Sequence, residues 1–182
     1  PTFEGIGSRR GRDWMRKWIL DPGAFRTVAR MPKIFHGPTA EKDATATAAY
    51  LATLTDNSDS NTSKAPLSDL FDKGAELFTI LHCAACHQEP EKHDPQETKI
   101  SLRFVNEKFT AGSLVAFLKQ PEAHYAWIRM PNFKLSDAEA DQLAAFLRGK
   151  ATGIEAINSA VDDTEIKRGK GLVESAGCLN CH

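Results

Sequence analysis

The sequence of 182 residues contains no run of about 18 apolar residues, so no segment is predicted to span a bilayer. It has little excess charge, because 23 Lys and Arg residues face 24 Asp and Glu residues for a net charge of -1. This balance gives no electrostatic reason to expect nucleic acid or an anionic membrane as a partner. The N-terminus lacks the basic and then apolar pattern of a signal peptide, so we expect that a leader was removed or that the sequence begins within a longer protein.

Cysteine is also scarce, and all four cysteines lie in two copies of one motif. The copies are CAACH at residues 83–87 and CLNCH at residues 178–182. In the C-x-x-C-H pattern, two thiols bond to the vinyl groups of a haem and the adjoining His binds the iron. The sequence therefore predicts two covalently bound c-type haems, with no cysteine left over.

The hydrophobic pattern is helical wherever it is periodic, and no strand pattern occurs between residues 67 and 149. Residues 39–54 have apolar residues on one face, with Thr39 as the expected cap. The expected helices are a Trp-rich helix stopped at Asp21-Pro22, residues 39–54, a helix from Ser68 to the first motif, residues 110–119 capped by Thr110, and a helix from a Ser136/Glu139 capping box to Gly149.

Two internal repeats set the predicted architecture. Residues 22–31 align with residues 121–130 without a gap, and each segment ends in Arg-Met before a Pro. Residues 164–182 align with residues 69–87, which pairs Gly169 with Gly74 inside predicted helices. Because Gly costs ~1 kcal/mol in a helix interior, we expect another helix to cross closely at Gly74. The sequence thus contains the back half of a unit, a whole unit and the front half of a unit.

This arrangement resembles tandem class I c-type cytochromes of bacteria, which share a helix ending in C-x-x-C-H, a late loop with a distal Met, and a C-terminal helix that crosses the first. The resemblance implies an all-α fold of tandem cytochrome c modules, one of them complete and flanked by two halves. The implied segments are a back half at 1–55, a linker at 56–66, a complete module at 67–149, a linker at 150–163 and a front half at 164–182.

The resemblance also implies the haem ligands. In the complete module, Cys83 and Cys86 would form the thioether bonds, with His87 and Met130 as axial ligands of the iron. The crossing would pair Gly74 and Phe78 with Phe146 and Leu147. The corresponding residues of the second haem would be Cys178, Cys181 and His182, with Met31 as a candidate distal ligand.

The ends depart from the family pattern, because Met31 has no C-x-x-C-H before it and His182 has no Met after it. We expect a longer parent chain that supplies the missing parts, and the alternative is closure of residues 1–54 over residues 164–182. Closure within one chain is one alternative. Head-to-tail exchange between chains is the other, and it would produce a filament of haems.

Other residues with ligand chemistry have weaker patterns. Met130 could instead be a core residue, although Met-Pro in a loop is an odd core position, and Met15 in the Trp-rich helix is expected in the core. The remaining histidines lack ligand spacing and are expected at the surface or in hydrogen bonds, with His124 as the reserve distal ligand; they are His36, His82, His93 and His124. A basic cluster is expected to be a solvated face, with haem propionates or an acidic partner as alternatives; it comprises Arg9, Arg10, Arg12, Arg16 and Lys17.

The function predicted from these features is electron transfer with redox proteins or neighbouring haem modules, and not catalysis. A haem with both axial positions filled by protein has no position for a substrate, and Met opposite His raises its potential. The alternative is the cytochrome segment of a larger oxidoreductase, such as a dehydrogenase or a dihaem peroxidase. A zinc protein is disfavoured because Cys86 and Cys178 are much further apart than the ~15–20 residues of a zinc ribbon. Covalent haem attachment predicts the periplasm or the cell exterior.

Overall fold

The computed structural model describes residues 2–56, 67–94, 96–125, 127–153, 156 and 160–182. These residues are rich in helix, as the sequence predicts. The α-helices are α1 (Ile6–Arg9), α2 (Arg12–Leu20), α3 (Pro22–Phe25), α4 (Ala40–Thr53), α5 (Leu67–Ile80), α6 (Val105–Lys108), α7 (Ser113–Lys119), α8 (Asp137–Lys150) and α9 (Asp163–Ser175). Short 3₁₀ helices cover Cys83–Ala85, Pro121–His124 and Cys178–Asn180. Within the described ranges, no helix is both long and apolar enough to cross a membrane.

Local sequence signals account for several helix ends. The Ser136 hydroxyl accepts a hydrogen bond from the Glu139 amide, and the Glu139 carboxylate accepts one from the Ser136 amide, so the predicted capping box is confirmed. Helix α2 ends at Leu20, and the Asp21 carboxylate then accepts from the Ala24 amide to begin α3. The predicted stop before Pro22 is therefore also confirmed.

Two local predictions are wrong. Helix α7 begins at Ser113 instead of Thr110, because the Thr110 hydroxyl donates to the Ser8 carbonyl and does not cap the helix. Two short strands occur where none is predicted: β1 (His87–Gln88) pairs in parallel with β2 (Ile100–Ser101). Strands of two residues carry too few side chains to show an alternating pattern.

The inner core lies between α5, α7 and α8. Its buried residues are large and apolar, and burying each one contributes about 1.5–3 kcal/mol. Phe78 comes from α5, Leu114 and Leu118 from α7, and Leu143 and Leu147 from α8.

The terminal core lies between α2, α4 and α9, so it joins the two ends of the chain. Met15 and Ile19 come from α2, Ala44 and Leu51 from α4, and Val173 from α9. Met15 is 5% exposed, which confirms its predicted place in a core.

The same close helix crossing occurs in both cores. A Cβ on Gly74 of α5 would lie 2.0 Å from the Gln142 carbonyl oxygen of α8 and 2.7 Å from the Phe146 Cβ. A Cβ on Gly169 of α9 would lie 1.9 Å from the Ala46 carbonyl oxygen of α4. Real Cβ atoms do not approach backbone this closely, so only glycine permits either crossing. The expected contact between Gly74 and Phe146 is present.

A junction between α1 and α6 connects the two cores. The Gly11 amide donates to the Lys108 carbonyl over 3.1 Å, and the Ser113 hydroxyl donates to the Arg9 carbonyl over 3.0 Å. Lys17 and Glu107 form an ion pair of 2.6 Å across the same boundary.

The segments predicted as linkers are described only in part. Residues 57–66 of the first one lie outside the described residues. In the second, the Thr152 amide donates to the Arg103 carbonyl over 3.1 Å, and the Ala156 amide donates to the Asn106 carbonyl over 2.9 Å. Thr152 and Ala156 of this segment thus lie beside α6 and the residues just before it.

We predict that Gly11→Ala loosens the junction. The added Cβ would lie 2.3 Å from the Glu107 carbonyl oxygen and 2.5 Å from the Ala156 Cβ, so one segment must move. Overpacking of this kind costs about 1–3 kcal/mol, which thermal unfolding would detect. Gly171→Ala is the control, because its added Cβ would meet nothing within 4 Å apart from its own helix backbone and chain neighbours. Equal stability of the two variants would contradict the proposed tightness of the junction.

Candidate functional site

The first C-x-x-C-H motif follows directly from the end of α5. His82 has a φ of 54°, and this left-handed residue turns the chain from α5 into the Cys83–Ala85 helix. Cys83 is half-buried against the inner core and Cys86 is exposed, and both thiols are free. Burial raises the pKa of the Cys83 thiol.

His87 is oriented by the short parallel strand pair. Its Nδ1 lies 3.2 Å from the Ile100 carbonyl oxygen, and because a carbonyl only accepts, Nδ1 is the protonated nitrogen. Nε2 is then the nitrogen available to a metal, and the hydrogen bond fixes the ring orientation. Burial lowers the pKa of His87 and outweighs the opposing effect of the hydrogen bond to Ile100. The lowered pKa favours the neutral imidazole, which is the form that binds iron.

Met130 is half-buried and packs against the inner core, as Cys83 does. The structure thus brings the candidate distal ligand and the first motif to one core, although α6, α7 and a 3₁₀ helix lie between them in sequence. The side chain of His124, the reserve ligand, lies outside the described residues.

The second motif repeats the geometry of the first. Helix α9 ends at Ser175, Gly177 has a φ of 82°, and Cys178 begins a 3₁₀ helix. Cys178 is half-buried against the terminal core, and burial raises the pKa of its thiol, whereas Cys181 is exposed. The His182 ring stacks on Phe3 with 4.5 Å between ring centroids, and burial lowers its pKa.

Met31 is half-buried against the terminal core, where Cys178 also packs. The indole N–H of Trp18 donates to the Met31 sulfur over 3.1 Å. The chain ends are therefore arranged so that Met31 and the second motif share a core, in parallel with Met130 and the first motif.

The free cysteines lie in two separate places, because Cys83 packs on the inner core and Cys178 on the terminal core. Within the part of the chain that the structure describes, no three His, Cys, Asp or Glu side chains form a group able to hold a metal ion. The two C-x-x-C pairs thus do not assemble into a four-cysteine site.

The interpretation of the N-terminal basic cluster as a solvated face is wrong for two of its members. Arg9 and Arg10 are only 8% and 9% exposed. Arg10 lies with its Cζ 4.2 Å from the centroid of the Phe109 ring, at the junction between the cores. Arg16 and Lys17 pair with carboxylates of this chain, Arg16 with Asp13 and Lys17 with Asp13 and Glu107.

Lys108 is a charged residue of this junction that sequence reasoning missed. Its Nζ lies 5.6 Å from the centroid of the Phe109 ring and 5.8 Å from that of Trp14. Burial, followed by the like charges of Arg10 and Arg26, lowers the pKa of Lys108 to about 7. No sequence signal could have identified this group, because a Lys in a short polar helix is typical of an exposed surface, and its neighbours are distant in sequence.

Residues 69–147 match the family model described as cytochrome c oxidase, cbb3-type, subunit III. No curated protein and no solved structure matches the chain. The match spans less than half of the chain, and over residues 69–147 the sequence is similar to a class I c-type cytochrome domain. This class carries covalently bound haem c and transfers electrons. The match thus supports the predicted resemblance to a c-type cytochrome for this stretch, and the tandem organisation stays a prediction.

The described residues fit a haem at the first motif. Two free thiols lie within one short helical turn, and the neutral His87 keeps Nε2 free. Ile80, Ile100 and Trp127 are 68%, 41% and 78% exposed. Ile80 lies shortly before the motif in sequence, the Ile100 carbonyl is hydrogen-bonded to His87, and Trp127 lies in the loop that leads to Met130. The apolar face of a bound haem would cover such hydrophobic surface.

We predict that an ion pair between α9 and α4 makes the terminal core sensitive to acid. The hydrogen bond from Arg168 lowers the pKa of Asp43 below its ordinary value of 3.8. Because the folded pKa is the lower one, the pair stabilises the fold above the ordinary pKa, and this stabilisation is lost as the pH falls through the folded pKa. Arg168→Gln should reduce thermal stability near neutral pH, and its difference from the wild type should shrink in acid.

Lys170→Gln is the control for this prediction. Lys170 lies on the same helix, but its pair with Glu174 is exposed and 4.0 Å long, and such surface pairs contribute ~0–1 kcal/mol. An Arg168→Gln defect that stays constant between neutral pH and about pH 2 would show that the Asp43 charge is not involved.

Proposed function

We propose that this chain is an electron-transfer protein with two c-type haems, each held by one C-x-x-C-H motif and one methionine. Cys83 and Cys86 bind the first haem, with His87 and Met130 as axial ligands. Cys178 and Cys181 bind the second haem, with His182 and Met31 as axial ligands. When bound, the haem iron accepts and donates single electrons.

The observation that carries this proposal is the repetition of one structural unit in the two cores. Each core has a glycine-permitted helix crossing, at Gly74 and at Gly169. Each has a left-handed residue before its motif, His82 or Gly177, and each has a methionine packed on the core that holds the first cysteine of the motif. This supports a tandem organisation in which residues 67–149 form one module and the segments 1–55 and 164–182 together form another.

Closure within one chain is the assembly that the packing supports. Val173 of α9 is buried in the same core as Ala44 and Leu51 of α4. Without α4, that apolar face of α9 would be exposed, and each large side chain left in water costs about 1.5–3 kcal/mol. In this structure the α4 helix that covers α9 belongs to the same chain, and we therefore favour this closure over head-to-tail exchange between chains.

The protein residues act by binding, orientation and exclusion of ligands. The Ile100 carbonyl holds the His87 ring with Nε2 free, and the packing of Met130 on the inner core holds its thioether near the first motif. A methionine in the distal position excludes a substrate from the iron. We therefore propose a carrier of electrons between redox proteins or neighbouring haem modules, and not an enzyme in its own right.

A second candidate function is that of a cytochrome component within a larger oxidoreductase. The observation in its favour is the family match, since the matching family is described as a subunit of an oxidase. Oxidase activity that depends on this chain in the presence of other subunits would support that role. An isolated chain that exchanges electrons with soluble carriers but adds no activity to an oxidase would support the simple carrier.

Covalent attachment supports a location in the periplasm or outside the cell, since haem attachment to C-x-x-C-H in bacteria occurs there and thioether bonds protect the thiols from oxidation. Maturation in a strain without extracytoplasmic haem-attachment machinery would contradict this location.

The experiment that tests the number of haems is mass measurement of the denatured protein after expression with haem-attachment machinery. We expect a mass increase of two haems in the wild type. The double variant Cys178→Ser/Cys181→Ser should keep one haem, as should the matched variant Cys83→Ser/Cys86→Ser. A wild type with one haem that is lost only in the Cys83/Cys86 variant would contradict the second site.

A further inference from the structure

Three cations, Lys108, Arg10 and Arg26, meet at the junction between the cores. Lys108, at the end of α6, lies beside the Trp14 and Phe109 rings, and the electrostatic neighbours that depress its pKa are Arg10 and Arg26. Within the described ranges, the Lys108 ammonium forms no hydrogen bond and no ion pair. Like charges repel strongly where little water screens them, so a negatively charged ligand would stabilise these cations.

Two polar atoms without a hydrogen-bond partner also lie in this junction. Arg26 Nε and His93 Nδ1 are both buried and have no hydrogen-bond partner among the described side chains. The His93 ring lies edge-on against Phe104, with 4.7 Å between centroids, and Phe25, the neighbour of Arg26, lies 5.1 Å from Phe104. Arg26 Nε is a donor, and a buried donor normally has an acceptor, so this atom also favours an anionic ligand at the junction.

The cations are also close to the first haem site. Arg10 and Lys108 both lie by the ring of Phe109, which is buried in the inner core on which Cys83 and Met130 pack. Arg10 also has partners of its own, the Arg9 carbonyl at 3.1 Å and the Tyr125 hydroxyl, but a guanidinium has five N–H donors. A haem bound at His87 would bring two carboxylate groups, its propionates, into the surroundings of that ligand.

We propose that Lys108, Arg26 and Arg10 form a cationic site for the propionates of the haem on Cys83 and Cys86. Two of these three residues belong to the N-terminal segment, whose helices build the other core. The N-terminal segment therefore helps to set the reduction potential of the haem in the neighbouring module. This inference rests on the proposed function, because it requires a haem at the first motif.

The test is the reduction potential of the intact two-haem protein with Lys108→Gln, measured by spectroelectrochemical titration. Loss of a positive charge near a haem favours the ferric state. With one unit charge removed ~10 Å from the iron at an effective dielectric constant of ~20, Coulomb's law gives about a tenfold fall in the ratio of reduced to oxidised haem at fixed potential. For a one-electron couple this is ~59 mV. Arg26→Gln should shift the same haem in the same direction.

Lys73→Gln is the matched control, because it removes an identical charge from the exposed side of α5. We expect less than a twofold change in the same ratio for this variant. Met130→Ala assigns which of the two titrating components is the haem at the first motif. Lys108→Arg keeps the charge and should restore the wild-type ratio.

A second readout separates binding of the propionates from a general charge effect. Resonance Raman bands of propionate bending report their hydrogen bonding, and we expect these bands to shift in Lys108→Gln but not in Lys73→Gln. A fall in potential without a band shift would overturn the assignment of a propionate site, as would an unchanged potential. Absence of haem from Cys83 and Cys86 in the wild type would instead refute the proposed function, so the two failures are distinguishable.

Discussion

Replacement of Met130 with alanine is expected to open one axial position of the first haem and to lower its reduction potential. A thioether ligand favours ferrous iron, and a ferric iron–Met bond gives a charge-transfer absorption that alanine cannot supply. The variant should therefore lose about half of that absorption in the two-haem protein, and a high-spin haem that binds added ligands should appear. Visible spectroscopy and a redox titration would measure both changes.

Met15→Ala is the control for this prediction, because Met15 is a buried core methionine of α2. Truncating a core methionine costs about 2–5 kcal/mol of stability, but it should leave the iron–Met absorption of the folded protein intact. If the absorption and the potential survive in Met130→Ala, the distal ligand is another group, and His124 is the first residue to examine.

Gly169→Ala is expected to be strongly destabilising, whereas Gly171→Ala two residues later should stabilise the protein. The Gly169 Cβ would lie 1.9 Å from the Ala46 carbonyl oxygen, so α9 must move away from α4. Such overpacking costs about 1–3 kcal/mol. The Gly171 Cβ would meet nothing within 4 Å apart from its own helix backbone and chain neighbours, and Ala is favoured over Gly in a helix by ~1 kcal/mol.

Thermal unfolding of the two alanine variants would measure this difference, which we expect to be about 1–3 kcal/mol because the helix-propensity gain is common to both variants. The comparison is informative because both variants make the same chemical change on one helix. Similar stabilities of the two variants would show that α9 does not cross α4 closely in solution, and the closure of the two chain ends would then be wrong.

Local signals in the sequence were sufficient for much of the fold. A few neighbouring residues are enough to predict the capping box at Ser136 and the stop before Pro22. The close crossing at Gly74 follows from a glycine inside a helix, where glycine is unfavourable unless another helix packs against it. The class I cytochrome prediction for residues 69–147 rests on motifs of the same local kind.

The predictions that are wrong concern residues whose partners lie far away in the sequence. Thr110 has the chemistry of an N-cap, but its hydroxyl donates to Ser8, about a hundred residues earlier, and α7 begins later as a result. Arg10 belongs to a run of basic residues typical of a solvated surface, but it is buried and lies over the Phe109 ring. Neither partner can be read from the pattern around the residue itself.

For the terminal core, the sequence predicted a helix crossing but not the helix that forms it. The repeat predicted that Gly169 corresponds to Gly74, and therefore that α9 needs a crossing partner. A repeat does not reveal whether that partner comes from the same chain, from another chain or from a continuation of the sequence. The packing of α9 on α4 supplies the partner, and it places Met31 and Cys178 on one core.

The most direct test of the account is the iron–Met charge-transfer absorption of the ferric two-haem protein, compared among the wild type, Met31→Ala and Met31→Ala/Met130→Ala. If both chain ends build one haem site, the absorption of Met31→Ala should fall to about half of the wild-type value, and the double variant should show none. A Met31→Ala protein with two haems and the full wild-type absorption would show that Met31 binds no iron, and it would contradict the assembly of a second cytochrome module from the two ends of this chain.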